Sequence, residues 1–236
     1  MFNKFSYYQK ISMISEEDIT RLNETYNEIK LKKPDLCSHK NVTQLTESDI
    51  SGLPYLESLQ QRIKQSFSQI VGSSALRLAK LWLVSSNHLN SNPNTLPYIT
   101  HFDKHRYLKA MVYLHDVTIE HGPIHLGRIK DDIDIETRRK ALPKDYKQQG
   151  LNLISKDEIE GSVSPVLGRA GDAIFFDTNM PHKAGVVSQG FKREVLRFDY
   201  EHVSYNSTSI FNIKSYNNIS HAVSWIKNHL SKTNKE

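Results

Sequence analysis

Two histidines and an aspartate in this chain are spaced to share one metal ion. His101-Phe102-Asp103 places an imidazole and a carboxylate at alternate positions, and the side-chain period of a strand turns both to one side. His182 comes far downstream and must reach the same point from another strand folded back alongside. Two imidazoles and one carboxylate hold one face of a ferrous ion and leave the other face open, which is the arrangement of non-haem iron oxygenases. Arg193 follows on the next predicted strand. A lone His-x-Asp arises often by chance. The set of His-x-Asp, distant His and Arg is far more specific when every member falls on a strand edge.

The chain has 11 histidines, so other groupings compete. His101/His105 and His121/His125 have the i,i+4 spacing that chelates a metal from a helix. Neither stretch reads as a helix, because the first follows Pro97 and the second contains Gly122-Pro123. Asp177 rivals Asp103 but falls at a strand end before the turn "TNMP". Asp172 reads as a turn residue, and Gly171 makes the tight turn ahead of it.

The elements that must position these residues follow from periodicity. Residues 15–32 predict a helix capped by Ser15, with Glu16, Glu17 and Asp18 at its positive end and Ile19, Leu22, Tyr26 and Ile29 as its apolar stripe. A second helix over 54–71 puts Leu56, Leu59, Ile63, Phe67 and Ile70 on one face. The period then changes. Strands are predicted at 76–85, 97–103, 107–117, 122–127, 163–168, 172–177, 183–188 and 193–204, with a closing helix at about 219–231. Helices followed by strands argue for a mainly β protein with flanking helices, a double-sheet jelly roll. This is read as a single domain over 1–236. It has helical support at 1–72, a core at about 76–204 and a charge-dense insertion at 128–160, with a short helix at Asp134 to Leu142. That insertion reads equally well as a lid or as a solvated loop.

Two strands show a clear alternation. Leu108, Ala110, Val112 and Leu114 share one face, and Tyr107, Lys109, Met111 and Tyr113 the other. Leu196, Phe198 and Tyr200 oppose Arg193, Val195, Arg197 and Asp199. The apolar faces suit packing against helices, and the mixed faces suit the wall of a wet cavity. Phe175 and Phe176 point to opposite sides of a strand buried on both.

Composition excludes several classes. Cys37 is the single cysteine, so no disulfide forms within the chain, which fits a reducing cytoplasm. The start "MFNKFSYYQK" has no apolar core of a secretory signal, and no apolar run reaches membrane-spanning length. The net charge of +5 comes from interspersed lysines and acids rather than a basic block, which argues against nucleic acid as the partner.

Taken together, these residues resemble the iron(II)/2-oxoglutarate dioxygenases of the phytanoyl-CoA dioxygenase type. The resembling text runs from about Leu81 to Tyr200. It includes "THFDKH" at 100–105, "KAMVYLHDVTIEHGPIHLG" at 109–127, "GRAGDAIFFDTNMPHKAG" at 168–185 and "SQGFKREVLRFDY" at 188–200. The resemblance implies a cupin-like double-stranded β-helix, Fe(II) held by His101, Asp103 and His182, and 2-oxoglutarate and O2 as co-substrates. Arg193 matches the arginine that holds the far carboxylate of 2-oxoglutarate, a task suited to the planar guanidinium fork. Arg197 shares its strand face and stays open as an alternative; its plainer role is an ion pair with Asp199 or Glu201. Val195 stands where many related enzymes have Ser or Thr, so a second contact must come from elsewhere. Lys109 and Tyr113 are candidates, with ordinary packing as the alternative. After "HGPIHLG" this chain reads "RIKDD" where the family commonly has Pro-Gly-Ser-His, so the lip of the site differs.

The implied activity is hydroxylation of a C–H bond in a small or medium-sized metabolite, with release of succinate and CO2. Asp103 argues against a halogenase, in which a small residue replaces the carboxylate. Lys109, Tyr113 and Arg197 on the cavity face, with Arg138, Arg139 and Lys140 on the insertion, suggest an anionic substrate. Two alternatives stay open: an oxygenase acting on protein or nucleic acid, and a cupin-like metal- or ligand-binding protein without turnover, which Arg193 disfavours.

Overall fold

Three acids, Glu16, Glu17 and Asp18, occupy the first turn of α1 (Glu16–Lys32), where their charge meets unpaired backbone N–H groups. The Asp18 N–H donates to Ser15 Oγ at 3.2 Å, so the helix starts at its predicted cap. The second helix, α2 (Pro54–Val71), spans the predicted 54–71. The structure is a computed structural model that describes residues 9–32, 42–45, 54–72, 74–103, 105–129 and 158–202, with positions 137, 140 and 154. The chain divides into two compact units, Met1–Glu201 and His202–Glu236. The closing helix predicted at 219–231 and Arg138 and Arg139 lie outside the described residues; of the short helix predicted at 134–142, positions 137 and 140 are described and are helical. No helix among the described residues is long and apolar enough to cross a membrane.

The strands are β1 (Gln9–Ser12), β2 (Val42–Leu45), β3 (Leu76–Asn87), β4 (Leu108–Tyr113), β5 (Ile124–Ile129), β6 (Ile159–Pro165), β7 (Asp172–Asp177), β8 (His182–Ala184) and β9 (Lys192–His202). They form a six-stranded sheet ordered β1-β7-β4-β9-β3-β2 and a three-stranded sheet ordered β6-β5-β8. All the pairings described are antiparallel. One face of the large sheet presents Leu108, Ala110, Val112, Phe175, Leu196 and Phe198 to the helices, where Leu22, Tyr26, Leu59, Ile63 and Phe67 complete one core. Each Leu, Val, Ile or Phe among them contributes roughly 1.5–3 kcal/mol when fully buried. Phe67 meets Phe175 edge-on, with ring centroids 4.8 Å apart. The other face carries Met111, Tyr113, Ile174, Phe176 and Val195, which cluster with Ile124 and Leu126 of the small sheet and Val166 beside it. This is the predicted jelly roll, with helices on the outer face of one sheet and the mixed faces turned inward.

Several predicted strands change. Residues 97–103 are not a regular strand. They follow turns in which the Thr95 N–H donates to Asn92 O and the Tyr98 N–H to Thr95 O, and Pro97 has no N–H for a ladder. Only His101 pairs, as an isolated antiparallel bridge to His182. The predicted 163–168 lies at 159–165, because β6 is an exposed edge strand with little apolar alternation to mark it. The predicted 183–188 shortens to β8, which ends before Gly185. Strands β1 and β2 have four residues each, too few for a period to stand out. Gly171 has φ +86°, and a Cβ there would lie 2.6 Å from Ile14 O, so the turn into β7 requires glycine.

Candidate metal centre and cavity

His182 opens β8, and His101 is held beside it by two reciprocal backbone hydrogen bonds of 3.0 Å. The Asp103 N–H donates to Thr178 O at 3.0 Å. These bonds bring two distant segments together without a continuous strand through 97–103. The side chains follow. Asp103 Oδ1 lies 3.3 Å from His182 Nε2 and 3.8 Å from His101 Nε2, and all three candidate ligand atoms fall within 4.8 Å of one another. Adjacent ligands at about 2.1 Å from one ion sit roughly 3 Å apart, so the cluster needs little adjustment to hold a metal. The rivals do not form such a group among the described residues. Asp177 is instead tied to Arg106 at 2.6 Å and caps the turn through the Asn179 N–H. Asp172 accepts from the Arg169 N–H, the turn role read from the sequence.

The protonation of the cluster suits a cation. The Nδ1 atoms of His101 and His182 lie 2.7 and 2.8 Å from the carbonyls of Ile99 and Met180. A carbonyl only accepts, so both Nδ1 atoms carry hydrogen and both Nε2 lone pairs face inward. Burial, with His182 adjacent, pushes the His101 ring down to about 3, which keeps it neutral. Burial alone would raise the Asp103 carboxyl. The Lys109 ammonium, paired with Asp103 Oδ2, outweighs it and holds that carboxyl well below the usual range. His182 Nε2 is buried without a hydrogen-bond partner among the described residues, and a metal ion would satisfy it.

A cavity of about 890 Å³ opens at this cluster, lined by residues of both sheets including Met111, Ile124, Phe176, Arg193 and Arg197. Arg193 is 2% exposed. Its Nη1 donates to Gly122 O and its Nη2 to Ser86 Oγ at 3.4 Å, while Nε has no partner. It meets no carboxylate among the described residues, and burial pulls its pKa down. Arg197 is placed differently: its Nε lies 3.0 Å from Asp199 Oδ1 and its Nη2 donates to Oδ2 at 3.1 Å. Lys109 reaches the cavity through its pair with Asp103. Tyr113 is fully buried, and its hydroxyl donates to Val166 O at 2.8 Å. The structure therefore brings His101, Asp103, His182, Lys109, Arg193 and Arg197 to one cavity and leaves Tyr113 in the packing behind it.

Among the lining residues that escaped the sequence reading as site residues are Lys80, Trp82 and Tyr107. Tyr107 was placed on the mixed face but given no role. In β3 the helix-side core takes Leu76 and Leu78, then Leu81 and Leu83. The alternation slips by one between them and hides the inward face of Lys80 and Trp82.

Several solved structures share this fold. HygX from Streptomyces hygroscopicus, with nickel and 2-oxoglutarate bound, is 14% identical over 83% of each chain, with a TM-score of 0.57. SnoN, an alpha-ketoglutarate-dependent non-haem epimerase of nogalamycin biosynthesis, is 18% identical over 82% of this chain and 77% of its own, with a TM-score of 0.56. SnoK, a carbocyclase of the same biosynthesis, is 18% identical over 82% and 78%, with a TM-score of 0.54. No curated protein sequence matches the chain. The family model for phytanoyl-CoA dioxygenase (PhyH) matches residues 5–194, which takes in the helices, the His-Asp-His cluster and Arg193. The chain belongs to the phytanoyl-CoA dioxygenase family and is a dioxygenase-type enzyme.

Proposed function

We propose that this protein is an Fe(II)/2-oxoglutarate-dependent oxygenase that hydroxylates a C–H bond of a small or medium-sized metabolite. The observation that carries the reading is Arg193. A buried guanidinium with no carboxylate partner, in the cavity of a His-Asp-His cluster, is costly unless a ligand supplies the counter-charge. 2-Oxoglutarate supplies it, and HygX has both a metal and 2-oxoglutarate on the same fold. The alternative of an inert metal-binding protein leaves Arg193 without a purpose.

In this reading His101 and His182, through Nε2, and Asp103, through Oδ1, hold Fe(II). Bound iron supplies the activation of O2 that 2-oxoglutarate oxidation drives. The balance is one R–H, one O2 and one 2-oxoglutarate consumed, with one R–OH, one succinate and one CO2 formed. The chain's own residues position and shield. Arg193 receives the far carboxylate of 2-oxoglutarate and fixes its orientation. Lys109 holds Asp103 Oδ2, so that Oδ1 faces the histidines. Met111, Ile124 and Phe176 line the cavity with apolar surface and limit water. A cavity of about 890 Å³ falls in the range of small-molecule sites.

The test is succinate release by iron-loaded protein with ascorbate and 2-oxoglutarate, first alone and then against a metabolite panel. Substrate-stimulated succinate with an oxygenated product supports the reading. SnoN and SnoK are an epimerase and a carbocyclase, so the product must be identified, not only succinate. Absence of 2-oxoglutarate binding rejects the reading. Succinate formed only with single-stranded nucleic acid, with steep salt dependence, shifts it to a macromolecular substrate.

A further inference from the structure

We propose that the end of the cavity remote from Arg193 is a second anion-binding subsite, built by Lys80, Arg197 and Tyr107, that takes a carboxylate or phosphate group of the substrate. The assignment to substrate rests on the oxygenase reading above, because that reading commits Arg193 to 2-oxoglutarate.

Geometry separates the two stations. Arg193 and Arg197 share one face of β9, and four residues of strand span about 13 Å. A five-carbon diacid is on the order of 6–7 Å long, about half the backbone spacing of the two arginines, so the two stations suit two separate anionic groups. Strand β3 marks the same two ends. Its Ser86 contacts Arg193 at 3.4 Å, and its Trp82 Nε1 donates to Asp199 Oδ2 at 2.8 Å. Across β4, Asp199 pairs in register with Lys109, which holds Asp103. The second station therefore adjoins the metal cluster through the register pair of Asp199 and Lys109.

Charge then identifies the ligand. Lys80, Lys109, Arg193 and Arg197 line the cavity with two carboxylates, Asp103 and Asp199. Asp103 neutralises Lys109, and Asp199 neutralises Arg197. Lys80 has no carboxylate partner among the described residues. Its Nζ lies 5.4 Å from the Trp82 ring centroid and 5.9 Å from that of Tyr107. Fe(II) and the 2-oxoglutarate dianion cancel each other, so loading both leaves the cavity two positive charges in excess. Lys80 is half-buried, so an anionic group of the substrate would replace water at its ammonium, which a neutral substrate does not do.

The station is also organised before a ligand arrives. Asp199 fixes the Trp82 indole, and Arg197 stacks on it with Cζ 4.8 Å from the ring centroid. The guanidinium is thus held with Nη1 free of partners among the described residues. Tyr107 lines the same wall. Burial, aided by Glu201 and Asp199, pushes its hydroxyl up to about 12, so it stays a hydrogen-bond donor. Two cations and a hydroxyl suit an oxyanion, and Trp82 acts as a positioning residue.

The test uses the chain loaded with nickel(II) and 2-oxoglutarate, which binds without turning over, and the metal-free chain beside it. Hexanoate, hexyl phosphate and neutral hexanamide are titrated by calorimetry. At least one anion should bind ten times more tightly than hexanamide, with 2-oxoglutarate still in place. Lys80→Met and Arg197→Met should each weaken that anion at least tenfold, and Lys80→Arg should restore most of it. The tighter of hexanoate and hexyl phosphate identifies the group. Equal binding of hexanamide, no anion binding, or displacement of the anion by 2-oxoglutarate overturns the subsite. Should 2-oxoglutarate itself fail to bind while the anion keeps its dependence on Lys80, the oxygenase reading falls and the anion site stands.

Discussion

Replacing Arg193 with lysine separates the fork of a guanidinium from its charge. Arg193 is buried, donates to Gly122 O and Ser86 Oγ, and faces no carboxylate among the described residues. Its missing counter-ion is proposed to be the far carboxylate of 2-oxoglutarate. Lysine keeps the charge but offers a point rather than two parallel donors. Losing a charge-assisted pair of this kind costs about 2–3 kcal/mol, a 30- to 150-fold rise in Kd. The effect is readable as thermal stabilisation of the iron-loaded protein in the absence of oxygen. At 2-oxoglutarate one hundred times the wild-type Kd, ligand binding stabilises the wild type by about 2.7 kcal/mol, and the variant by about 0.3–0.9 kcal/mol. At about 2–4 °C per kcal/mol for a chain of this size, the Tm shifts are about 5–11 °C and about 1–4 °C. Arg197→Lys should lose less, because Asp199 already supplies that guanidinium's counter-charge. Equal shifts in wild type and Arg193→Lys, or a larger loss in Arg197→Lys, would refute the assignment of the clamp.

His101→Ala, Asp103→Ala and His182→Ala should each abolish turnover and lower bound iron, measured by metal analysis of the purified variants; full iron and normal activity in Asp103→Ala is incompatible with the proposed centre. Lys109→Met removes the ammonium that fixes Asp103 Oδ2 and should weaken iron retention about 10- to 100-fold in a chelator competition; unchanged retention would make Lys109 a packing residue. Phe67→Ala empties a fully buried site against Phe175 and should cost about 3–5 kcal/mol in urea unfolding, whereas a loss under 1 kcal/mol would mean that the helix is not the main cover of that sheet face. Gly171→Ala forces a Cβ to 2.6 Å from Ile14 O at φ +86° and should cost at least about 1 kcal/mol by the same measure; wild-type stability would show that the β1–β7 edge yields freely.

The residues of the site were legible where strand alternation is clean, and hidden where the local pattern is broken. In β4 and β9 every second side chain is apolar, so the inward positions of Lys109, Met111, Arg193 and Arg197 followed from period alone. In β3 the phase slips, and Lys80 and Trp82 could not be assigned a face. His101 and Asp103 were expected on one strand. They converge instead because two backbone bonds to His182 and one to Thr178 hold an irregular segment, and a period of two does not encode such long-range bonds. The contrast between Arg193 and Arg197 shows most directly what sequence alone omits. Both lie on one face of one strand, and each has an acid nearby. Asp199 shares that face and takes Arg197. Glu194 points to the other side, where Lys30 and Lys192 hold it at 2.9 Å each, so the acid next to Arg193 in sequence is lost to it in space. Lys80 is left uncompensated by the same accounting, since Asp199 and Asp103 are already engaged. Arg193, buried without a carboxylate partner among the described residues, calls for one anion; Lys80, half-buried on the cavity wall, offers a place for a second, which the co-substrate proposed here does not fill.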